Sequence, residues 1–164
     1  MMTRDQFWAV IESARRADPD EPAEGLRTML GRLGLPEIAS FQAHFDELFD
    51  GAFRWDLWGA AYLMGGGCSD DGFIDFRSGL ISHGRRVYEA ALADPDSLAA
   101  LDDHVDDEAY GSVAAQVYAA KGGGELPRAR AVSTEPAGEP WNFEDEAQNW
   151  KRLPRLCEEY GAGG

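Results

Sequence analysis

The chain has 164 residues, of which 30 are Asp or Glu and 15 are Lys or Arg, so its formal net charge is -15. This balance argues against direct nucleic-acid binding, because the recognition of phosphates begins with a basic surface. An apolar fraction of 44% with five tryptophans argues against disorder, and the length is that of one domain with a real core.

The cysteines and the apolar runs indicate the cellular location of the protein. Cys68 and Cys157 lie far apart without any Cys-x-x-Cys spacing, so neither a disulfide scaffold nor a metal knuckle is predicted. No apolar run approaches the length of a membrane span, and the N-terminal residues contain no apolar signal core. We therefore expect a cytoplasmic protein without membrane association, and we predict no cofactor.

Helical periodicity begins near the N-terminus. Thr3 and Gln6 have the spacing of a capping box, and Pro36 suits the first turn of a helix. In three successive segments the apolar residues recur at intervals of three and four, which is the spacing of one helix face. The three stripes are Phe7, Val10, Ile11 and Ala14; Leu26, Met29, Leu30 and Leu33; and Ile38, Phe41, Phe45, Leu48 and Phe49.

The middle of the chain continues this pattern. The run Leu57–Met64 is apolar on all sides, which predicts the most buried helix of the domain, with Asp56 as its cap. A helix from about Asp71 to Ser82 follows, and another ends before Asp94. Pro95 then begins a short helix, and residues 110–121 are helical again.

The last part of the chain divides into a linker and a tail. Residues 122–140 are rich in Gly and Pro and include Arg128 and Arg130 without apolar periodicity, which predicts a flexible loop. Residues 141–164 form a helical tail, interrupted at Pro154, whose Trp141 and Trp150 should pack back on a core domain of residues 1–121. With no long alternating strand pattern, the prediction is an all-α, compact single-domain bundle of about seven to nine short helices.

A polar turn at residues 65–77 separates two apolar helices. Its three glycines suit helix termination in positive-φ conformations, and the acids after them suit the positive end of a helix. The spacing also imitates a calcium loop, but an EF-hand with Gly72 at its sixth position would have Gly67 first and Ser78 last, without the essential carboxylates. The candidate polar site of this turn comprises Cys68, Ser69, Asp70, Asp71, Asp75 and Arg77.

Two kinds of chemistry compete with a structural role for this turn. Cys68 as a nucleophile would need a base, but His83 should lie at the far end of the following helix, and nearby acids raise a thiol pKa. A buried structural cysteine is the preferred interpretation. Alternatively, Asp70, Asp71 and Asp75 could bind Mg²⁺ or Mn²⁺ while Arg77 orients a phosphate. The simpler interpretation is that Asp75 and Arg77 form ion pairs with neighbouring helices.

The run from Asp94 to Glu108 contains seven acids and no Lys or Arg. Such runs are usually solvated faces, and the functional alternative is a docking surface for a basic protein partner. The leading hypothesis is a regulatory or partner-binding module. The alternative is a metal-assisted hydrolase or phosphate-handling enzyme that uses Asp70, Asp71, Asp75 and Arg77, and a weaker third is an immunity-type protein that blocks a toxin.

Several segments together are similar to a known family. They are the helix around Phe7-Trp8, the run Leu57–Tyr62, the turn Gly66–Phe73, the triplet Asp75-Phe76-Arg77, and Tyr88–Asp96. From residue 3 to about residue 110 the chain resembles a bacterial domain of unknown function, family 4240. The resemblance implies a shared fold unit and no particular reaction.

Overall fold

The computed structural model describes residues 1–128 and 133–161. These residues form nine α-helices and two short 3₁₀ helices, with no strand beyond one isolated bridge between Arg54 and Ala137. The all-α prediction is confirmed. The helices are α1 Arg4–Ala17, α2 Pro22–Gly31, α3 Leu35–Gly51, α4 Trp55–Gly65, α5 Asp70–Ser82, α6 Arg85–Ala93, α7 Val113–Ala120, α8 Glu146–Arg152 and α9 Pro154–Tyr160, with 3₁₀ helices at Pro95–Ala100 and Tyr110–Ser112.

The first helices begin where the sequence predicts. Thr3 and Gln6 form the expected capping box at the start of α1. The predicted stripe of α1 is buried in the core, except that Val10 is only partly buried. The two helices approach closely at Gly25, where an added Cβ would lie 2.0 Å from the carbonyl oxygen of Ala14. Only a glycine permits this separation.

The most buried helix is α5. It buries eight residues, whereas α4 buries four, so the prediction that α4 would be the most buried helix is wrong. Polar residues of α5 can be buried because their donors find carbonyl acceptors: Ser82 Oγ, for example, donates to the oxygen of Gly79 at 2.6 Å. Its central position places α5 beside α1, α3, α4 and α6.

The polar turn between α4 and α5 is closed as the glycines predict. Gly66 ends α4 in the left-handed conformation, with φ of 68°, and the N–H of Gly67 donates to the oxygen of Tyr62. Trp58 of α4 then holds the turn, because its indole N–H donates to the oxygen of Cys68 at 2.9 Å. At the start of α4 the cap is Arg54, and the predicted cap Asp56 lies within the first turn.

The C-terminal segment lies against the core. Ala137 exchanges backbone hydrogen bonds with Phe53 and Trp55, and Trp141 fits over Gly59 of α4, where an added Cβ would lie 2.5 Å from its ring. Pro154 separates α8 from α9, as predicted. Trp150 does not share in this packing, since 47% of it is exposed. Residues 129–132 of the predicted loop, with Arg130, and residues 162–164 of the tail lie outside the described residues.

Asp96 attaches α9 to the rest of the fold. The residue is only 4% exposed, and its carboxylate accepts hydrogen bonds from the backbone N–H groups of Arg155 and Leu156, at 3.0 and 2.8 Å. These are free donors at the start of α9, so the buried charge caps the helix. Leu156 then enters the same hydrophobic core as the helices of the first 121 residues.

None of the described helices combines the length and apolar character that crossing a membrane requires.

Candidate functional site

The first residues of the candidate polar site cap α5. Ser69 is the N-cap, and its Oγ accepts a hydrogen bond from the N–H of Gly72 at 3.1 Å. Asp70 and Asp71 lie in the first turn, where their charges interact favourably with the positive end of the helix. These three positions account for the start of α5 without any ligand.

Cys68 is a poor nucleophile in this structure. The residue is half-buried and lies just before α5, whereas His83 forms the C-cap at the opposite end, as predicted. Burial, followed by the charges of Asp106, Asp70 and Asp75, raises the pKa of the thiol to about 11. A thiol with such a pKa is almost fully protonated at neutral pH.

Arg77 lies in an aromatic cage. Its guanidinium carbon is 4.0, 4.6 and 4.9 Å from the ring centroids of Phe49, Phe53 and Phe73, and the side chain donates to the carbonyl oxygens of Phe49 and Phe73. The residue is 7% exposed, and burial lowers its pKa to about 10, at which it stays charged at neutral pH. Neither the expected phosphate contact nor the expected interhelical ion pair describes this environment.

Asp75 instead meets carboxylates that are distant in sequence. The segment after the first 3₁₀ helix crosses α5, and the N–H of Asp107 donates to the backbone oxygen of Asp75 at 3.0 Å. Burial, and then the charges of Glu108, Asp106, Asp71 and Asp107, raises the pKa of Asp75. Within the described residues none of these five carboxylates forms an ion pair.

We call this surface the acidic face; it comprises Asp70, Asp71, Asp75, Asp106, Asp107 and Glu108. The packing that creates it depends on Gly79, because an added Cβ there would lie 1.6 Å from the oxygen of Val105. The structure therefore joins Asp70, Asp71 and Asp75 of the candidate site to part of the acidic run, and it places Arg77 elsewhere.

A cleft of about 600 Å³ adjoins the acidic face. It is lined by Arg15 and the turn between α1 and α2, by Ser82 and His83 at the end of α5, and by residues 103–109. Among the described residues, the carboxylates that line it are Asp20, Glu21, Glu24, Asp103, Asp106, Asp107 and Glu108, against one arginine, Arg15. Sequence reasoning missed this cleft because its walls come from three separate parts of the chain.

The acidic residues do not converge on a metal site. In residues 1–128 and 133–161, no group of three or more His, Cys, Asp or Glu side chains has an arrangement that could hold a metal ion. The acidic face is therefore a set of carboxylates spread over a surface.

Comparison with known proteins gives one match. Residues 2–122 match the family model described as "Protein of unknown function (DUF4240)". No curated protein and no solved structure matches the chain. The matched residues include α1 to α7, the acidic face and the residues that line the cleft, and they end before the C-terminal segment.

Proposed function

The chain belongs to the DUF4240 family, a family of unknown function, and from the geometry of its acidic face we propose that the protein is a regulatory or partner-binding module. Its acidic face docks a basic surface of a protein partner. The family description names no activity, so the proposal depends on the geometry of the acidic face.

The observation that carries the proposal is the crowding of unpaired carboxylates around Asp75. Burial is the largest cause of the raised pKa of Asp75, and four neighbouring acids raise it further, so the charges repel one another in the free protein. Arginines are available elsewhere in the fold and pair with Glu47, Asp46 and Asp94, yet none of the described ones pairs with the acidic face. A cationic partner would remove this repulsion and would gain binding free energy from it.

The whole-molecule charge supports the same conclusion. A net charge of -15 gives a field that speeds the approach of basic partners and repels acidic ones. Both cysteines are free thiols, which agrees with the reducing cytoplasm as the place of this interaction. The enzyme hypothesis has less support, because Arg77 is occupied by the aromatic cage and cannot serve a phosphate beside Asp75.

The test compares two variants of equal charge. In the face variant, Asp75→Asn, Asp106→Asn, Asp107→Asn and Glu108→Gln keep the side-chain shapes and retain an acceptor for the N–H of Tyr110, which now donates to Asp107. The control variant carries Glu37→Gln, Glu125→Gln, Glu135→Gln and Glu139→Gln at exposed positions outside the acidic face. The immobilised proteins are exposed to cell extract, and the retained proteins are quantified by mass spectrometry.

We expect the wild type and the control variant to retain a small set of basic proteins that the face variant does not retain. These proteins should elute between about 0.1 and 0.5 M NaCl, because exposed charges are screened over this range. Purified members of the set should then bind the wild type in a concentration-dependent, saturable manner. Equal retention by the two variants would show that only overall charge matters and would contradict the proposal.

A further inference from the structure

Beyond the acidic face, we propose that the adjoining cleft is a pocket for one arginine side chain of the partner, with His83 Nε2 as its buried hydrogen-bond acceptor. This inference rests on the proposed function and specifies which group of a basic partner enters the protein. Three observations carry it: the burial of His83, its unpaired nitrogen, and the charge of the cleft.

The tautomer of His83 follows from its contacts. Nδ1 lies 2.8 Å from the backbone oxygen of Gly79, and a carbonyl can only accept, so Nδ1 carries the proton. The side chain is 5% exposed, and this burial, assisted by the charge of Arg15, lowers the pKa of the imidazole. A neutral ring with its proton on Nδ1 presents a lone pair at Nε2, which is an acceptor.

Nε2 lacks a donor. Among the described residues it is a buried atom with no hydrogen-bond partner, which is uncommon because an unpaired buried acceptor destabilises a fold. It lies 3.8 Å from Oδ2 of Asp103, a residue that lines the cleft, and a carboxylate has no proton to donate to it. Because the Asp103 side chain is 50% exposed, its rotation can open a path from the cleft to Nε2.

The hydrogen-bond donor that fits beside His83 Nε2 is a guanidinium group. The carboxylates that line the cleft favour a cation, and the forked N–H groups of arginine can serve Nε2 and Asp103 together, whereas the ammonium of lysine is a more strongly hydrated point charge. Arg15 does not fill the role, because it donates to the oxygen of Ser82 at 3.2 Å and lies 3.5 Å from Asp103 Oδ2, and among the described residues it makes no hydrogen bond to Nε2.

The experiment uses two short peptides of equal charge, one with lysines alone and one in which a single lysine is replaced by arginine. Each is titrated into nitrogen-15 labelled wild-type protein at low salt, while long-range proton–nitrogen spectra follow both ring nitrogens of every histidine. Affinities are also measured for His83→Phe and for the matched control His104→Gln, since His104 lines the same cleft with an 84% exposed side chain.

We expect the arginine peptide to bind about tenfold more tightly than the lysine peptide, which is the effect of about one hydrogen bond. It should shift the Nε2 resonance of His83 saturably, and the advantage should vanish in His83→Phe and persist in His104→Gln. The spectra of the wild type keep the test valid even if His83→Phe fails to fold.

Two other results separate the inference from the proposed function. If both peptides bind equally and Nε2 does not shift, the pocket is not an arginine site, Nε2 is served by water only, and the acidic face remains a docking surface. If neither peptide binds at low salt, the proposed function fails and this inference fails with it.

Discussion

The unfavourable electrostatic free energy of the acidic face is concentrated at Asp75. Its pKa is raised above the ordinary value, so the folded protein binds a proton more readily than the unfolded chain does. By linkage, this group stabilises the fold below its unfolded pKa, and that stability is lost as the pH rises through the folded pKa. At neutral pH its charge is therefore unfavourable.

We expect Asp75→Asn to stabilise the free protein by about 0.5 kcal/mol at pH 7, because it removes a charge that partial burial and then neighbouring acids make unfavourable. The gain should disappear near pH 3, where the wild-type carboxyl is protonated. Denaturant unfolding at both pH values measures it, and Glu125→Gln, at an exposed position outside the acidic face and outside any helix, is the control. A loss of stability at pH 7 would show that the charge of Asp75 is compensated.

The thiol of Cys68 offers a second probe of the same charges. With a pKa of about 11, the fraction of Cys68 present as thiolate at pH 8 is about 100-fold smaller than for an ordinary cysteine. Each thiolate is about tenfold more nucleophilic because it is more basic, which offsets part of this difference. In the Cys157→Ala background we expect an aromatic disulfide reagent to react about tenfold more slowly with Cys68 than with a cysteine peptide. Adding the face substitutions should speed the reaction, and an unchanged rate would contradict the electrostatic account.

At the scale of elements, the fold depends on how the segment of residues 105–107 crosses α5. The backbone of Val105 and Asp107 lies so close to Gly79 that any side chain there must push the segment away. The same crossing lets the backbone N–H of Asp107 donate a hydrogen bond to the backbone oxygen of Asp75. One glycine thus determines whether the two halves of the acidic face meet.

Gly79→Ala should destabilise the protein by about 3 kcal/mol, since overpacking against backbone cannot be relieved by a side-chain rotation. Gly31→Ala, at the end of α2 with nothing within 4 Å of the added Cβ, is the matched control and should be neutral or slightly stabilising. Thermal unfolding of both variants compares them. Equal melting temperatures would mean that the segment is not held against α5.

For the whole molecule, the charge of -15 acts against the compact state, and salt relieves this repulsion. Raising NaCl from about 0.05 to 0.5 M should increase the wild-type melting temperature by about 3 °C, the shift that roughly 1 kcal/mol produces in a domain of this size. The face variant and the control variant of equal net charge should differ, with the smaller increase in the face variant. Identical increases would show that the repulsion is spread evenly.

Local features of the fold could be predicted, and features that depend on distant contacts could not. The capping box at Thr3, the left-handed Gly66 and the break at Pro154 each follow from a few neighbouring residues. The burial of α5, the exposure of Trp150 and the aromatic cage of Arg77 depend on which helices lie alongside. A basic residue between aromatic residues in sequence carries no sign that three phenylalanine rings will enclose it.

The sequence by itself determined that this protein is acidic and all-helical, because composition, periodicity and capping act over a few residues, and its match to a family model shows that it belongs to the DUF4240 family. Only the tertiary structure decided which of its charged and polar groups meet. It brought Asp75 to Asp106, Asp107 and Glu108, and it buried His83 beside a cleft whose walls come from separate parts of the chain. The physical reason is that these contacts follow from packing α5 against a distant segment, for which no local pattern of residues is required.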